Sequence, residues 1–368
     1  MSEVLNPKAE IRNRFDNVEI IRGIASVIVV LFHFSYFTSP DNWYNKIFRH
    51  GYLGVDGFFI ISGFILPLSF ANKNYRSRWL LYFGFWLKNK FYQTFQYSSK
   101  PTSVSQQLPT KSQQPILRRI IRIEPAYWAS IFLCVVKDAL YQYTVDAKNF
   151  KMPDIYSFKS LVAHFFHANG FLHMPWIRQL YWTLAIDWQF YLFLCIAFFI
   201  LNKREWWFRY PLYVSVAALY LISPPDNVWA SFYCFDFLAG IIFFHFTRKY
   251  ITVYELWVVW LLLLIVVYQK MGFNHFCSIG TVCCVLFFVK QGTDWLRFLG
   301  KISYSLYLTH AFSGWTLISI SEYYYPHLDE NTKTIVILTA VLVSIPFAYW
   351  FYLLVEKPTA VWAKKLVG

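Results

Sequence analysis

The sequence predicts an all-α polytopic integral membrane protein, a bundle of about ten transmembrane helices with both termini in the cytoplasm. Three observations predict this class: the composition, the long apolar segments and the positions of Lys and Arg. The 368-residue chain is 57% hydrophobic, 22% aromatic and only 15% charged, whereas soluble domains are about one-half apolar and one-quarter charged. A soluble fold cannot bury that much apolar surface, so we expect a lipid bilayer around the chain.

Long apolar segments set the number of helices. A transmembrane helix needs about 20 residues to cross the hydrocarbon core, and apolar segments of this order recur along the whole chain. We predict spans at 18–38, 52–71, 119–142, 181–201, 209–223, 229–247, 253–270, 274–290, 301–320 and 334–355.

The basic residues set the orientation. The net charge is +14, and Lys and Arg form short clusters between the apolar segments. With the N-terminus inside, these clusters fall mainly in cytoplasmic loops, as the positive-inside rule requires. Because membrane topology accounts for the basic charge, no nucleic-acid partner is predicted.

The chain divides into three regions: a cytoplasmic segment at 1–17, a transmembrane domain at 18–357 and a cytoplasmic tail at 358–368. Within the domain, about 93–114 is rich in Ser, Gln, Pro and Thr, which is typical of a flexible cytoplasmic linker. No internal repeat indicates the two halves of a transporter. The six cysteines lack CxxC spacing, so we expect buried free thiols and neither a disulfide framework nor a metal site.

The first predicted helix carries two ionisable residues on one face. Arg22 and His33 are eleven residues apart, which separates them by about 16 Å along the helix axis. Asp56 lies near the outer boundary that His33 approaches, where a carboxylate can orient and stabilise an imidazole. Three alternatives stay open: Arg22 as a snorkelling anchor, His33 bonded to a carbonyl, and Asp56 as a helix N-cap.

Two later helices present polar stripes, and the third helix begins with an arginine cluster. Thr183, Asp187 and Tyr191 recur at i, i+4 spacing, which indicates an aqueous cavity or a partner helix. Tyr307 and His310 share another face, which tyrosine packing explains about as well. The cluster at the start of the third helix consists of Arg118, Arg119 and Arg122. Their guanidinium groups can bind one phosphate together, or they can serve only as topology anchors at the cytoplasmic side.

Taken in order, these polar elements resemble the acyltransferase-3 family of membrane-bound O-acyltransferases over nearly the whole chain. The ordered set, and no single motif, makes the resemblance specific. The elements are IRGIASVIVVLFHF with Arg22 and His33, YLGVDGFFIISGF with Asp56, RRIIRIEPAYW with Arg119 and Arg122, YWTLAIDWQFYLF with Trp182, Asp187 and Tyr191, LGKISYSLYLTH ending at His310, and VEKP with Glu356.

The resemblance implies transfer of an acyl group to a hydroxyl of a cell-surface polysaccharide or lipid-linked sugar at a bacterial inner membrane. The implied donor is a cytoplasmic acyl-CoA, most commonly acetyl-CoA, which acts as a co-substrate and not as a tightly bound cofactor. His33 maps to the family's catalytic histidine. The positions implicated in donor handling are matched by Arg22, Arg119 and Arg122.

Two positions depart from the family pattern. Asp187 stands where glutamate is usual, which weakens a direct role in proton transfer, and Gly57 follows Asp56 where a bulkier apolar residue is common. Many relatives also carry an extracytoplasmic hydrolase-like domain after the last span. Since this sequence ends at Gly368, we expect a stand-alone enzyme or one that works with a separate extracytoplasmic partner.

We therefore predict a division of roles. His33 acts as general base on the acceptor hydroxyl, and Asp56 or Asp187 stabilises the imidazolium, with direct transfer or an acyl-histidine intermediate as the two routes. Donor binding is assigned to Arg22, Arg118, Arg119 and Arg122, and substrate binding to Trp182, Tyr191, Tyr307 and His310. Two rivals stay open: a transporter or flippase that uses the intramembrane His and Asp residues as a proton or substrate pathway, and a catalytically inactive relative.

Overall fold

The computed structural model describes residues 16–72, 115–145, 154–222 and 228–367, and within these ranges the chain is helical without a β-strand. The predicted linker at 93–114 lies outside the described residues. The helices are α1 Asp16–Ser35, α2 Trp43–Phe48, α3 Gly54–Asn72, α4 Pro115–Val145, α5 Phe158–Phe165, α6 Trp182–Leu201, α7 Trp206–Ala218, α8 Cys234–Thr247, α9 Val253–Met271, α10 Phe273–Phe288, α11 Asp294–Tyr324, α12 Glu330–Phe351 and α13 Lys357–Val367.

Every predicted span overlaps one of these helices, but not every helix is long and apolar enough to cross a bilayer. Within the described residues, 5 segments are long and apolar enough: Asp16–Ser35, Trp43–Ala71, Gln179–Leu201, Val253–Met271 and Glu330–Leu366. Helices α8 and α10 are apolar but shorter, and α4 and α11 have 31 residues each but carry more polar side chains. The helices fit a multi-pass membrane protein, while the count of about ten spans and the orientation of the termini stay predictions.

Helices α1 and α11 lie side by side and run in the same direction. Near their starts, the Arg297 guanidinium Nε donates to an Asp16 carboxyl oxygen at 2.8 Å. Glycine permits the close approach, since a Cβ atom at Gly300 would lie 2.2 Å from the Glu19 carbonyl oxygen. The parallel packing brings residues near the far end of α1 beside residues in the middle of α11.

A second close crossing joins α3 to α8. A Cβ atom at Gly240 would lie 2.1 Å from the Ile60 carbonyl oxygen, and one at Gly63 would lie 2.2 Å from the Phe237 carbonyl oxygen. Small residues allow two helix backbones to pack at this distance inside a membrane protein. This crossing fixes the helix that carries Asp56.

The chain leaves α12 through a π-helical turn, Tyr352–Glu356, that leads into α13. Glu356 is 2% exposed, and its carboxylate accepts a hydrogen bond from the Ser305 hydroxyl at 2.7 Å. The Thr359 hydroxyl, one residue past the VEKP motif, donates to the Arg122 carbonyl at 3.2 Å. The closing motif therefore lies against the arginine cluster of α4, and such turns are frequent at functional sites.

The cysteines are free, as expected, but they are not all buried. Cys277 and Cys284 on α10 are exposed. The sequence prediction of burial is wrong for these two, because α10 turns one side away from the rest of the bundle. Of the remaining cysteines, Cys134, Cys234 and Cys283 are buried and Cys195 is partly buried.

Candidate functional site

A large cavity lies at the end of the bundle where α1 finishes. Its volume is about 1040 Å³, and it is partly open. Helices α1, α3, α4, α10 and α11 and the segment that precedes α6 contribute its walls. The polar and aromatic side chains that line it include His33, Asp56, Trp182, His275, Tyr307 and His310.

Two histidines meet in the wall of this cavity. Nδ1 of His33 and Nε2 of His310 are 2.9 Å apart, and the planes of the two rings differ by 16°. His310 is 1% exposed, so its ring is fixed by packing. The parallel arrangement of α1 and α11 produces the contact, which joins a predicted catalytic residue to a predicted substrate-binding residue.

The hydrogen bonds of this pair define its tautomers. Nδ1 of His310 lies 3.1 Å from the Leu306 carbonyl oxygen, which can only accept, so that nitrogen carries hydrogen. Nε2 of neutral His310 is then an acceptor, and Nδ1 of His33 donates to it. The lone pair of neutral His33 therefore resides on Nε2, which makes this nitrogen the basic atom of the pair.

Asp56 lines the same cavity but contacts a different histidine. Its Oδ2 atom lies 3.2 Å from Nδ1 of His275 on α10, and Asp56 is 2% exposed. The prediction that Asp56 orients His33 has no supporting contact in the described residues. Asp56 follows the Gly54 start of α3 and not its N-cap position, so the capping alternative does not describe it either.

Trp182 and Tyr307 form part of the cavity wall. Trp182 stacks on Tyr233 with ring centroids 5.4 Å apart. The Tyr307 hydroxyl donates to the Leu180 carbonyl at 2.9 Å and lies 2.8 Å from the Thr183 hydroxyl. These contacts hold both rings in place, and their roles in substrate binding stay predictions.

The wall before α6 depends on a buried histidine. Nε2 of His164 accepts from the Ile177 backbone N–H at 3.1 Å, while its Nδ1 donates to the Ser160 carbonyl at 2.8 Å. Burial lowers the pKa of the His164 imidazole, which keeps it neutral and able to accept. The segment that carries Gln179, just before the Trp182 start of α6, is thereby tied back to α5.

A second polar cluster lies nearer the start of α1. The Arg119 guanidinium is 3.7 Å from Asp187 and 4.5 Å from the centre of the Tyr191 ring. Arg22 and Arg122 are each close enough to Arg119 for their positive charges to repel the charge of Arg119. The other two arginines approach carboxylates at 3.7 Å (Arg122 to Glu356) and 3.8 Å (Arg22 to Glu19).

These ion pairs are looser than the other arginine pairs of the described chain. Arg178, Arg209 and Arg297 contact their carboxylates at 2.7, 2.9 and 2.8 Å, which are hydrogen-bond distances, whereas 3.7–3.8 Å lies beyond that range. Three buried polar atoms of this cluster have no hydrogen-bond partner among the described residues: Nε of Arg119, Oδ1 of Asp187 and the Tyr191 hydroxyl. The Arg119 Nε and the Tyr191 hydroxyl are unused donors, as an anion site requires, whereas a carboxylate oxygen of Asp187 can only accept.

The predicted site residues thus divide between two places. His33, Asp56 and His310 line the cavity, together with Trp182 and Tyr307, whereas Asp187 and Tyr191 lie with the arginines and not among the cavity residues. The predicted stripe on α6 splits because Thr183, one turn earlier, contacts Tyr307. Arg118 makes no ion pair with a described residue.

Sequence reasoning missed several polar residues. His275 pairs with Asp56, and Glu124 accepts hydrogen bonds from both His167 and Trp188 at 3.0 Å. Glu124 interrupts an apolar predicted span, which is a signal that could have singled it out. His167 lies in a connecting segment, where nothing in the sequence distinguishes it. The described residues contain no group of His, Cys, Asp and Glu that could hold a metal ion.

Comparison with known proteins agrees with the first two of the sequence elements. Residues 15–92 match the model of a family described as an acyltransferase domain. This match confirms the resemblance to the acyltransferase-3 family, and the matched segment contains Arg22, His33 and Asp56. No curated protein and no solved structure matches the chain.

Proposed function

Because residues 15–92 match the acyltransferase-3 family, we propose that this chain is a membrane-embedded O-acyltransferase with His33 as its general base. It transfers an acyl group, acetyl in the first instance, from acyl-CoA to a hydroxyl of a cell-surface polysaccharide or lipid-linked sugar. The observation that carries the proposal is the His33–His310 bond at 2.9 Å in the wall of an open cavity. This bond fixes the tautomer of His33, and the cavity beside it is large enough to hold a substrate.

The donor nucleotide is assigned to the arginine cluster. Its arginines have loose carboxylate partners, and the buried Nε atom of Arg119 has no partner among the described residues. They can therefore donate to phosphate oxygens without breaking short hydrogen bonds. Arg22 and His33 are separated by about 16 Å along α1, a distance comparable to the reach of a pantetheine arm. In the bacterial inner membrane this arrangement receives the donor at the cytoplasmic side and the acceptor at the opposite side.

The chemistry then follows from the tautomer of His33. The acceptor hydroxyl gives its proton to Nε2 as its oxygen attacks the thioester carbonyl; the C–O bond forms and the C–S bond breaks. The thiolate leaves and takes up one proton, and His33 then releases the proton that it took from the acceptor, so acyl transfer is proton-neutral over one turnover. His310 stabilises the new imidazolium by accepting a stronger, charge-assisted hydrogen bond from Nδ1 of His33.

Deletion of the gene and mass analysis of the surface glycans tests the proposal. We expect the deletion strain to lose one fixed acyl mass, which returns with the wild-type gene but not with His33→Ala. Unchanged glycan masses would contradict the proposal. The transporter or flippase alternative predicts substrate movement without acyl-CoA consumption, and no observation on the described residues favours it.

A further inference from the structure

The cavity contains a second histidine, His275. Its hydrogen-bond partner is a carboxyl group, whereas the partner of His33 is a neutral imidazole. His275 lines the cavity and its side chain is 16% exposed. Its Nδ1 atom lies 3.2 Å from the Asp56 carboxylate, whereas Nδ1 of His33 faces a neutral imidazole. Two histidines in one cavity therefore have different electrostatic surroundings.

A further carboxyl group lies behind Asp56. Asp236 on α8 is 0% exposed, and neither of its carboxyl oxygens has a hydrogen-bond partner among the described residues, so burial beside Asp56 favours its neutral form. Among the described residues, the Tyr52 phenol also faces His275, with ring centroids 6.3 Å apart. At 3.2 Å from the Asp56 carboxyl group, an imidazolium at His275 would form an ion pair with it.

We propose that His275, held by Asp56, is the general acid that protonates the departing thiolate, while His33 is the general base. This inference rests on the proposed acyltransferase function and adds a second catalytic residue to it. When two titratable groups share a site, the one beside a carboxylate holds its proton and the one beside a neutral group accepts one. Asp56 is then a positioning residue for His275.

The proton count balances over one turnover. The acceptor O–H proton moves to Nε2 of His33, and the Nε2 proton of His275 moves to the sulfur as the C–S bond breaks. His33 ends protonated and His275 ends neutral. Water in the open cavity returns one proton from His33 to His275, which restores the starting state without an added co-reactant.

Leaving-group dependence tests this assignment. The full chain in detergent would be assayed on glycan extracted from cells that lack the gene, with acetyl-CoA or with S-(4-nitrophenyl) thioacetate, whose aryl thiolate leaves without protonation. With acetyl-CoA, His275→Gln should lower kcat about a hundred-fold, the scale of general acid catalysis. With the aryl thioester the loss should shrink to within about three-fold, whereas His33→Gln should lose activity on both donors.

The pH profile of kcat with acetyl-CoA gives a second, independent measurement. The wild type should show a bell-shaped profile, and His275→Gln should lack its high-pH limb, because that limb reports the general acid. The control is His50→Gln, an exposed histidine near Tyr52, which should behave as the wild type.

Several outcomes would overturn the inference. For His275→Gln these are an equal loss of kcat on both donors with an unchanged pH profile, a raised KM for the acceptor with unchanged kcat, or full activity. The last result, together with an inactive His33→Gln, would leave the proposed function standing. Absence of acyl transfer by the wild type itself would instead contradict the proposed function.

Discussion

Replacing His310 isolates the contribution of the histidine pair. His310→Leu removes the acceptor that holds Nδ1–H of His33 and leaves a side chain of similar bulk, so His33 becomes free to rotate and to change tautomer. His310→Gln is the matched variant, because a Gln carbonyl oxygen can occupy the place of Nε2 and accept the same hydrogen bond. Both variants keep the arginine cluster intact.

The expected loss follows from the bond itself. The contact is 2.9 Å long, its acceptor ring is 1% exposed, and in the transition state its donor becomes cationic. Hydrogen bonds to charged groups contribute about 1.5–3 kcal/mol, and since each 1.36 kcal/mol is about ten-fold in rate, His310→Leu should lower kcat about ten- to a hundred-fold. His310→Gln should stay within about three-fold of the wild type.

Steady-state transfer of labelled acetyl from acetyl-CoA to extracted glycan measures both variants. The KM for acetyl-CoA should stay unchanged, because the donor nucleotide is assigned to the arginines. A wild-type kcat for His310→Leu, or equal losses in the Leu and Gln variants, would refute the reasoning that His310 acts by accepting a hydrogen bond from His33.

The remaining predictions concern donor binding and helix packing. The double variant Arg119→Gln, Arg122→Gln should raise the KM for acetyl-CoA at least about ten-fold, because it loses charge-assisted hydrogen bonds to phosphate. The control Arg248→Gln, outside the cluster, should leave this KM unchanged. An unchanged KM in the double variant would mean that these arginines act only as topology anchors. Gly240→Ala should destabilise the detergent-solubilised protein by about 1–3 kcal/mol through overpacking against α3, measured by thermal unfolding, whereas Gly280→Ala meets only Leu264 atoms at 3.8 Å and should be neutral. Equal melting temperatures for the two glycine variants would contradict the packing argument.

The helical class was predictable because hydropathy depends on local composition. Each predicted span overlaps a helix, since an apolar run of that length has few other ways to satisfy its backbone in lipid. Helix lengths and local turns that depend on packing against neighbouring helices were harder to predict from the sequence. Helix α7 has 13 residues, too few to span alone, and the π-helical turn at Tyr352–Glu356 has no simple hydropathy signal.

The candidate site was predictable in its residue types and only partly in its pairings. Arg119 and Asp187 stand out because charges are costly in apolar segments, yet their contact depends on the antiparallel packing of α4 against α6. Asp56 was paired with His33 from their shared depth, whereas the structure pairs it with His275. The depth of a residue along a helix can be predicted from the sequence. Which neighbouring helix each face contacts depends on how the bundle packs, and the sequence pattern does not give this.

His33 as the general base is the central claim, and one measurement tests it most directly. Purified wild type, His33→Gln and the surface control His327→Gln would be compared for transfer of labelled acetyl from acetyl-CoA to glycan from cells lacking the gene. General base catalysis contributes about a hundred- to ten-thousand-fold, so His33→Gln should lose at least about a hundred-fold in kcat while it melts and binds acetyl-CoA like the wild type. A folded His33→Gln that transfers acetyl at the rate of the control would contradict the account.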